Sequence, residues 1–204
     1  MALFDVKIVL ASNNQGKLAE LRVMFEPLGL ELMAQSELGI AEADEPFHTF
    51  VENALAKARH AAQHSGLPAL ADDAGLCVDA FGGLPGVQTA YYATQFGYAK
   101  GDDNNVRALL EQLRGQCNRR AAMVSTLVAV RSPQDPEPLI AVGRVVGEIS
   151  LEPMGRHGFG FDPVMFIPAF GKTFAQLPSD VKNANSHRGR AARAMVELMR
   201  ERWL

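Results

Sequence analysis

Two cysteines in 204 residues, Cys77 and Cys117, carry no metal-binding or redox spacing. They are expected to be reduced core thiols of a cytosolic protein. Long apolar runs are missing too, so no segment reaches membrane-spanning length. Asp5 and Lys7 interrupt any apolar stretch near the N-terminus and no small-residue cleavage site follows. No secretory leader is therefore expected, and cytoplasm is the default. Positive charge is not in excess: the net charge is −3, which argues against a general nucleic-acid coat but leaves room for a local basic pocket. Low-complexity tracts, internal repeats and long linkers are absent, so residues 1–204 read as one domain, with enough chain for one substantial core or two small lobes. Two nucleotide signatures fail as well. Only Gly16 precedes Lys17, and Leu18 stands where the P-loop has its hydroxyl; no G-x-G-x-x-G occurs.

What is present is a soluble globular composition, 48% hydrophobic and 21% charged. Its most informative segment is Ser12-Asn13-Asn14-Gln15-Gly16-Lys17. The β-rich run Lys7 to Ala11 precedes it, and Leu18, Leu21, Met24, Phe25 and Leu28 follow at helical spacing. Strand, small polar loop and helix in that order aim backbone N–H groups and a helix N-terminus at one spot. Lys17 adds a full charge there, so the segment predicts an anion site.

Further along, residues 29–35 alternate like a second strand. Residues 49–64 read as a helix with Thr49 as N-cap, Glu52 completing a capping box, and Phe50, Ala54, Ala58, Ala61 and Ala62 as its packing face. Leu67 to Ala71 reads as a strand ending at Asp72-Asp73, residues 80–101 as a long loop, and residues 103–114 as a helix. Residues 121–130 and 139–150 form a predicted hairpin, residues 159–168 a Phe-rich loop and strand, and 186–202 a closing helix. Ala191, Met195 and Leu198 of that helix are expected inside, with Arg190, Arg193 and Glu197 outside. Early alternation followed by a hairpin predicts α/β architecture on a mixed sheet.

Three further clusters are candidates for chemistry. Asp72-Asp73-Ala74-Gly75 follows an apolar strand, where open α/β sheets bind ligands. Successive strand side chains point to opposite faces, so the two carboxylates are expected to differ in role: one facing a metal or water, the other holding the loop. Glu42, Asp44 and Glu45 form an acidic loop that either serves a metal with that pair or is simply solvated. Lys182 to Arg188 places His187 and Arg188 in a helix first turn, with Ser186 as N-cap. Cations there oppose the helix dipole, a cost that suggests a bound anion or polar partner. Gly158-Phe159-Gly160-Phe161-Asp162 offers flat apolar faces on which a purine could stack, or else ends a core strand.

Taken in order, Ser12–Lys17, Thr49–Ala54, Ala71–Leu76, Phe159–Asp162 and Ser186–Arg188 resemble the inosine/xanthosine triphosphate pyrophosphatase family over Lys7 to about Met199. The resemblance implies an elongated α/β fold of two lobes around a long mixed sheet, with a nucleotide cleft between the lobes. It implies a magnesium-dependent cytosolic homodimer that hydrolyses ITP, dITP and XTP to the monophosphate and pyrophosphate. By the same resemblance Ser12, Asn13, Asn14, Gln15, Gly16 and Lys17 bind triphosphate and Lys57 is a further phosphate contact. Asp73 is catalytic base and metal ligand, and Asp44, or its neighbour Glu45, is the second metal ligand. Phe159, Gly160, Phe161, Asp162, Lys182, His187 and Arg188 occupy the base- and sugar-reading positions. Two departures stand out: Ala74 replaces the family's serine in the substrate site, and Thr89-Ala90-Tyr91-Tyr92 replaces Ser-Ala-Arg-Tyr. The alternatives are a pyrophosphatase of modified pyrimidine or ordinary nucleotides, and a nucleotide-binding regulator without catalysis.

Overall fold

The computed structural model describes residues 7–26 and 29–203. Among these, the first half alternates β1 (Lys7–Leu10), α1 (Gln15–Phe25), β2 (Glu31–Ala34), α2 (Phe50–Ser65), β3 (Ala69–Val78) and α3 (Asp102–Gln112). The second half holds β4 (Arg120–Val130), β5 (Leu139–Ile149), β6 (Met165–Ile167), β7 (Lys172–Thr173), α4 (Ser179–Asn185) and α5 (His187–Arg202). The strands form one seven-stranded sheet in the order β2-β1-β3-β4-β5-β6-β7. β1 runs parallel to β2, with Lys7 opposite Glu31, and parallel to β3, with Val9 opposite Ala69. β6 is antiparallel to both β5 and β7, so the sheet is mixed, as the sequence predicts. No helix of the described residues is long and apolar enough to cross a membrane.

The chain divides into two compact units, and the division falls within β3, β4 and β5. The first holds the residues up to Asp73, Ser125–Gly143 and those from His187 onward. Its part of the sheet is covered on both faces. Ile8, Leu10, Leu70, Leu127 and Ala129 pack with Leu18, Leu21 and Phe25 of α1 and Ala191, Met195 and Met199 of α5. On the other face Val9, Ala11, Ala69, Ala71, Val128 and Val130 meet Ala54, Ala58, Ala61 and Ala62 of α2. Small side chains on α2 let its backbone lie close to the sheet. The two-residue period of β3 therefore sends Leu70 and Ala71 into different layers, and Asp72 and Asp73 follow them.

The second unit, Ala74–Val124 and Arg144–Ser186, has its own core of Leu76, Val78, Leu109, Leu113, Val145, Phe161, Val164 and Phe174.

Several expectations need correcting. β3 does not end at Asp72-Asp73 but continues to Val78, with Leu76 and Val78 buried beyond the pair. Sheet pairing overrides the turn-like composition of Asp-Asp-Ala-Gly. Residues 80–101 are not plain loop: Asp79–Phe81 and Gly86–Phe96 are 3₁₀-helical, and the latter buries Tyr92 and Ala93. The capping box at α2 is altered, since the Thr49 hydroxyl accepts from the Glu52 amide (3.3 Å) but donates to the Glu52 carboxylate (2.6 Å). α4 precedes the closing helix as a separate element. Both cysteines are free, but Cys117 is exposed after α3 and is no core thiol, whereas Cys77 is half-buried. Leu28, read as the last apolar residue of α1, and Asp5 lie outside the described residues.

Candidate active site

Ser12 to Lys17 carries the chain from β1 into α1. Asn14 is the N-cap: its Oδ1 accepts from the Lys17 amide at 3.0 Å, and its own amide donates to Ser12 Oγ at 3.2 Å. Asn13 Oδ1 accepts from Gln35 Nε2 at 3.3 Å, tying the loop to the end of β2. No acidic side chain occupies the first turn of α1, so nothing on the helix itself neutralises its positive end.

Asp72 faces the α1 and α5 layer. Its Oδ1 accepts from Ser125 Oγ at 2.6 Å. Its Oδ2 accepts from Arg188 Nε at 3.1 Å and lies 3.2 Å from Lys17 Nζ. Burial alone would raise its pKa, but Lys17, Arg188 and Ser125 together hold the carboxyl well below the usual range. Burial pushes Lys17 down, and Arg188 and Lys57 add to that against the support of Asp72. Arg188, placed with the base-reading positions by the resemblance, is committed here to Asp72 and, through Nη1, to Glu20. Those two carboxylates compensate the cation in the first turn of α5, so its burial requires no outside anion. Glu20 and Ser125 were not singled out in the sequence. Their signals are slight: Glu20 lies three residues after Lys17 on α1, and Ser125 is a hydroxyl in an apolar strand.

Asp73 faces the α2 layer. Its Oδ1 accepts from Lys57 Nζ at 2.9 Å, whereas Oδ2 is buried with no hydrogen-bond partner among the described residues. Lys57 Nζ also donates to Glu45 Oε1 (2.9 Å) and to the Asp72 carbonyl (3.0 Å), which uses all three of its protons. Burial raises the pKa of Asp73 despite the opposing charge of Lys57. Lys57 has its own pKa raised: burial acts against it, but Asp73 and Glu45 prevail. Asp44, favoured from the resemblance, is exposed, and Glu45 is the acidic residue that reaches the Lys57–Asp73 pair. No three Asp, Glu, His or Cys side chains among the described residues converge to hold a metal. Asp73 and Glu45 nevertheless suit a hard cation that completes its shell with substrate oxygens and water. The bare Oδ2 of Asp73 is an open acceptor, able to meet a cation or a water.

The second unit carries a separate group. Lys182 of α4 is buried and donates to Asp162 Oδ2 at 2.6 Å, and the Phe159 amide donates to the same oxygen at 2.9 Å. The Lys182 ammonium lies 5.0 Å from the centre of the Phe159 ring. Gly158, at φ +77°, must be glycine, because a Cβ would lie 2.1 Å from Asp162 Oδ2. The Gly160 amide donates to Asp102 Oδ2 at 2.7 Å. Of the two phenylalanines only Phe159 offers an accessible face; Phe161 is core, 1% exposed, and cannot stack on a ligand. His187 is buried at the start of α5. Ala74 is half-buried on β3. Thr89 keeps a hydroxyl, which accepts from the Leu76 amide (2.9 Å) and donates to the Gly86 carbonyl (2.5 Å). Tyr91 is exposed, with Lys100 Nζ 4.2 Å above its ring.

Comparison with known proteins is consistent across sequence and structure. The model of the Ham1 family matches residues 8–198. The dITP/XTP pyrophosphatase of Albidiferax ferrireducens is 82% identical, over 98% of this chain and all of that one. The protein of the same name from Paracidovorax citrulli is 80% identical, over 97% of this chain and all of that one. A HAM1 protein structure from Coxiella burnetii superposes with a TM-score of 0.88 at 40% identity, covering 96% of this chain and 99% of the other.

Proposed function

The chain belongs to the Ham1 family, and from that premise we propose that it hydrolyses dITP, XTP and ITP to the monophosphate and pyrophosphate. The observation that carries the reading is Asp73: a buried carboxylate with one oxygen on Lys57 and the other without a partner among the described residues. A base needs a free oxygen and a pKa above the ordinary carboxylate range, and burial supplies the second. Asp73 takes a proton from water at Oδ2 and orients it toward the α-phosphorus. Lys57 keeps Asp73 fixed, and a phosphate that reaches its ammonium takes the place of one of its three partners. Lys17 and the first-turn amides of α1 receive the remaining phosphate oxygens.

Three cations, Lys17, Lys57 and Arg188, face four carboxylates, Glu20, Glu45, Asp72 and Asp73. That cluster cannot neutralise a triphosphate by itself, which favours a divalent cation held by Asp73 and Glu45. Magnesium is the proposed ion, and bound there it supplies charge neutralisation and polarisation of phosphoryl oxygens. Phe159 is the proposed stacking face for the purine, with Lys182 and Asp162 beside it, and His187 is proposed as a further base-reading residue. A cytoplasmic homodimer completes the reading implied by the family resemblance.

The test is a hydrolysis panel of ITP, XTP, dITP, GTP and ATP with magnesium, with products resolved. Equal amounts of monophosphate and pyrophosphate are expected, with ITP and XTP well above GTP and ATP lowest. Orthophosphate with a diphosphate product would overturn the reaction, and ATP turned over as fast as ITP would overturn the purine selectivity.

A further inference from the structure

We infer that Ser125 and Glu20 are positioning residues for Lys17: they set how tightly Asp72 holds the lysine, and hence how freely it grips a phosphate. The inference rests on the reading of Lys17 as a phosphate ligand. Lys17 is not idle in this structure; its Nζ lies 3.2 Å from Asp72 Oδ2 and 3.4 Å from the Asp72 carbonyl. Any phosphate must therefore compete with Asp72 for the ammonium. How hard Asp72 competes depends on its other partners.

Ser125 is one of them. It is fully buried on β4, two and four residues from Leu127 and Ala129, on a face otherwise given to the apolar layer. A hydroxyl there is costly without a partner, and its bond to Asp72 Oδ1 supplies one. Without that donor the carboxylate is underbonded and draws Lys17 closer. Glu20 acts on the other oxygen with the opposite sign. Arg188 divides its guanidinium between Glu20 and Asp72 Oδ2, the same oxygen that Lys17 approaches. If Glu20 loses its charge, Arg188 turns more fully to Asp72, and Asp72 releases Lys17.

The two substitutions thus pull in opposite directions, which damage to folding cannot mimic. Steady-state kinetics with ITP, and inhibition by inorganic tripolyphosphate, should be measured for wild type, Ser125→Ala, Glu20→Gln and Lys17→Ala. Ser125→Ala should raise KM and the tripolyphosphate inhibition constant together by about fivefold, part of the effect of one hydrogen bond to a charged group. Glu20→Gln should lower both, by roughly twofold. In each case KM should move more than kcat. Should Ser125→Ala fail to fold, Glu20→Gln decides alone: a KM that rises or stays put overturns the inference. If Lys17→Ala raises both constants while the other two variants shift KM in one shared direction, or not at all, the inference is wrong and the phosphate reading survives. If Lys17→Ala leaves both constants at wild-type values, the phosphate reading itself fails.

Discussion

At Asp73 a single bare oxygen separates a working group from a structural one. Its neighbour Asp72 is equally buried, yet every oxygen of that residue has a partner, including the carbonyl. Replacing Asp73 by Asn keeps the shape and removes the base, so kcat for pyrophosphate release should fall by at least about a hundredfold. Near-normal turnover would move the role elsewhere. The same variant should be no less stable at neutral pH, because a carboxyl whose pKa is raised on folding destabilises the native state once ionised; denaturant midpoints at pH 7 check this. Lys17→Ala should raise KM for ITP, XTP and dITP alike, since the lysine meets phosphate and not base; a change confined to base preference would remove it from the phosphate site. The divergence of Asp72 and Asp73 was legible in the sequence from the two-residue period of a strand. The partners of Asp72 were not, because Ser125 and Glu20 come from distant segments and belong to no motif.

Elements fix these residues, and α5 shows how tightly. A Cβ on Gly143 of β5 would lie 1.9 Å from the His187 carbonyl and 2.5 Å from the Ala191 amide. The first turn of α5 therefore rests on bare strand backbone, and that seat delivers Arg188 to Asp72. Gly143→Val should lift the turn, destabilise the protein by about 1–3 kcal/mol in urea unfolding, and raise KM for every triphosphate. Unchanged stability would mean that the helix can shift at no cost. Periodicity made α2, the β4–β5 hairpin and α5 readable within a few residues, and α1 was readable from its buried Leu18, Leu21 and Phe25 after a polar loop. β3 was cut short because Asp-Asp-Ala-Gly has turn composition, and only pairing with other strands shows that the backbone stays extended. The 3₁₀ segment Gly86–Phe96 escaped because Gly82, Gly83, Pro85 and Gly97 flank it with turn signals, while Tyr92 and Ala93, which anchor it, reveal themselves only through the core they enter.

For the molecule as a whole the balance of charge governs response to acid and to chelators. Asp72 has its pKa lowered on folding, so its stabilisation is complete above the unfolded carboxylate value of about 4 and is lost as pH falls below it. Asp135, lowered to about 2 by its hydrogen bonds with Arg131, adds a contribution of the same sign. Urea midpoints should therefore drop steeply below about pH 4, and Asp72→Asn should flatten that descent while costing about 3–5 kcal/mol at neutral pH, through the cations left behind. A wild-type profile that stays level down to pH 2 would contradict it. Excess EDTA should abolish hydrolysis and added magnesium restore it; full activity in chelator would rule out the cation proposed at Asp73 and Glu45. Lastly, the Asp72 carbonyl accepts from Lys17 on one side of the sheet and from Lys57 on the other. Every amino acid has that carbonyl, so no codon change at position 72 can delete it. The shared tether of the two lysines is thus independent of the side chain at 72, and it is exposed instead to insertions or deletions that slide β3 along its neighbours.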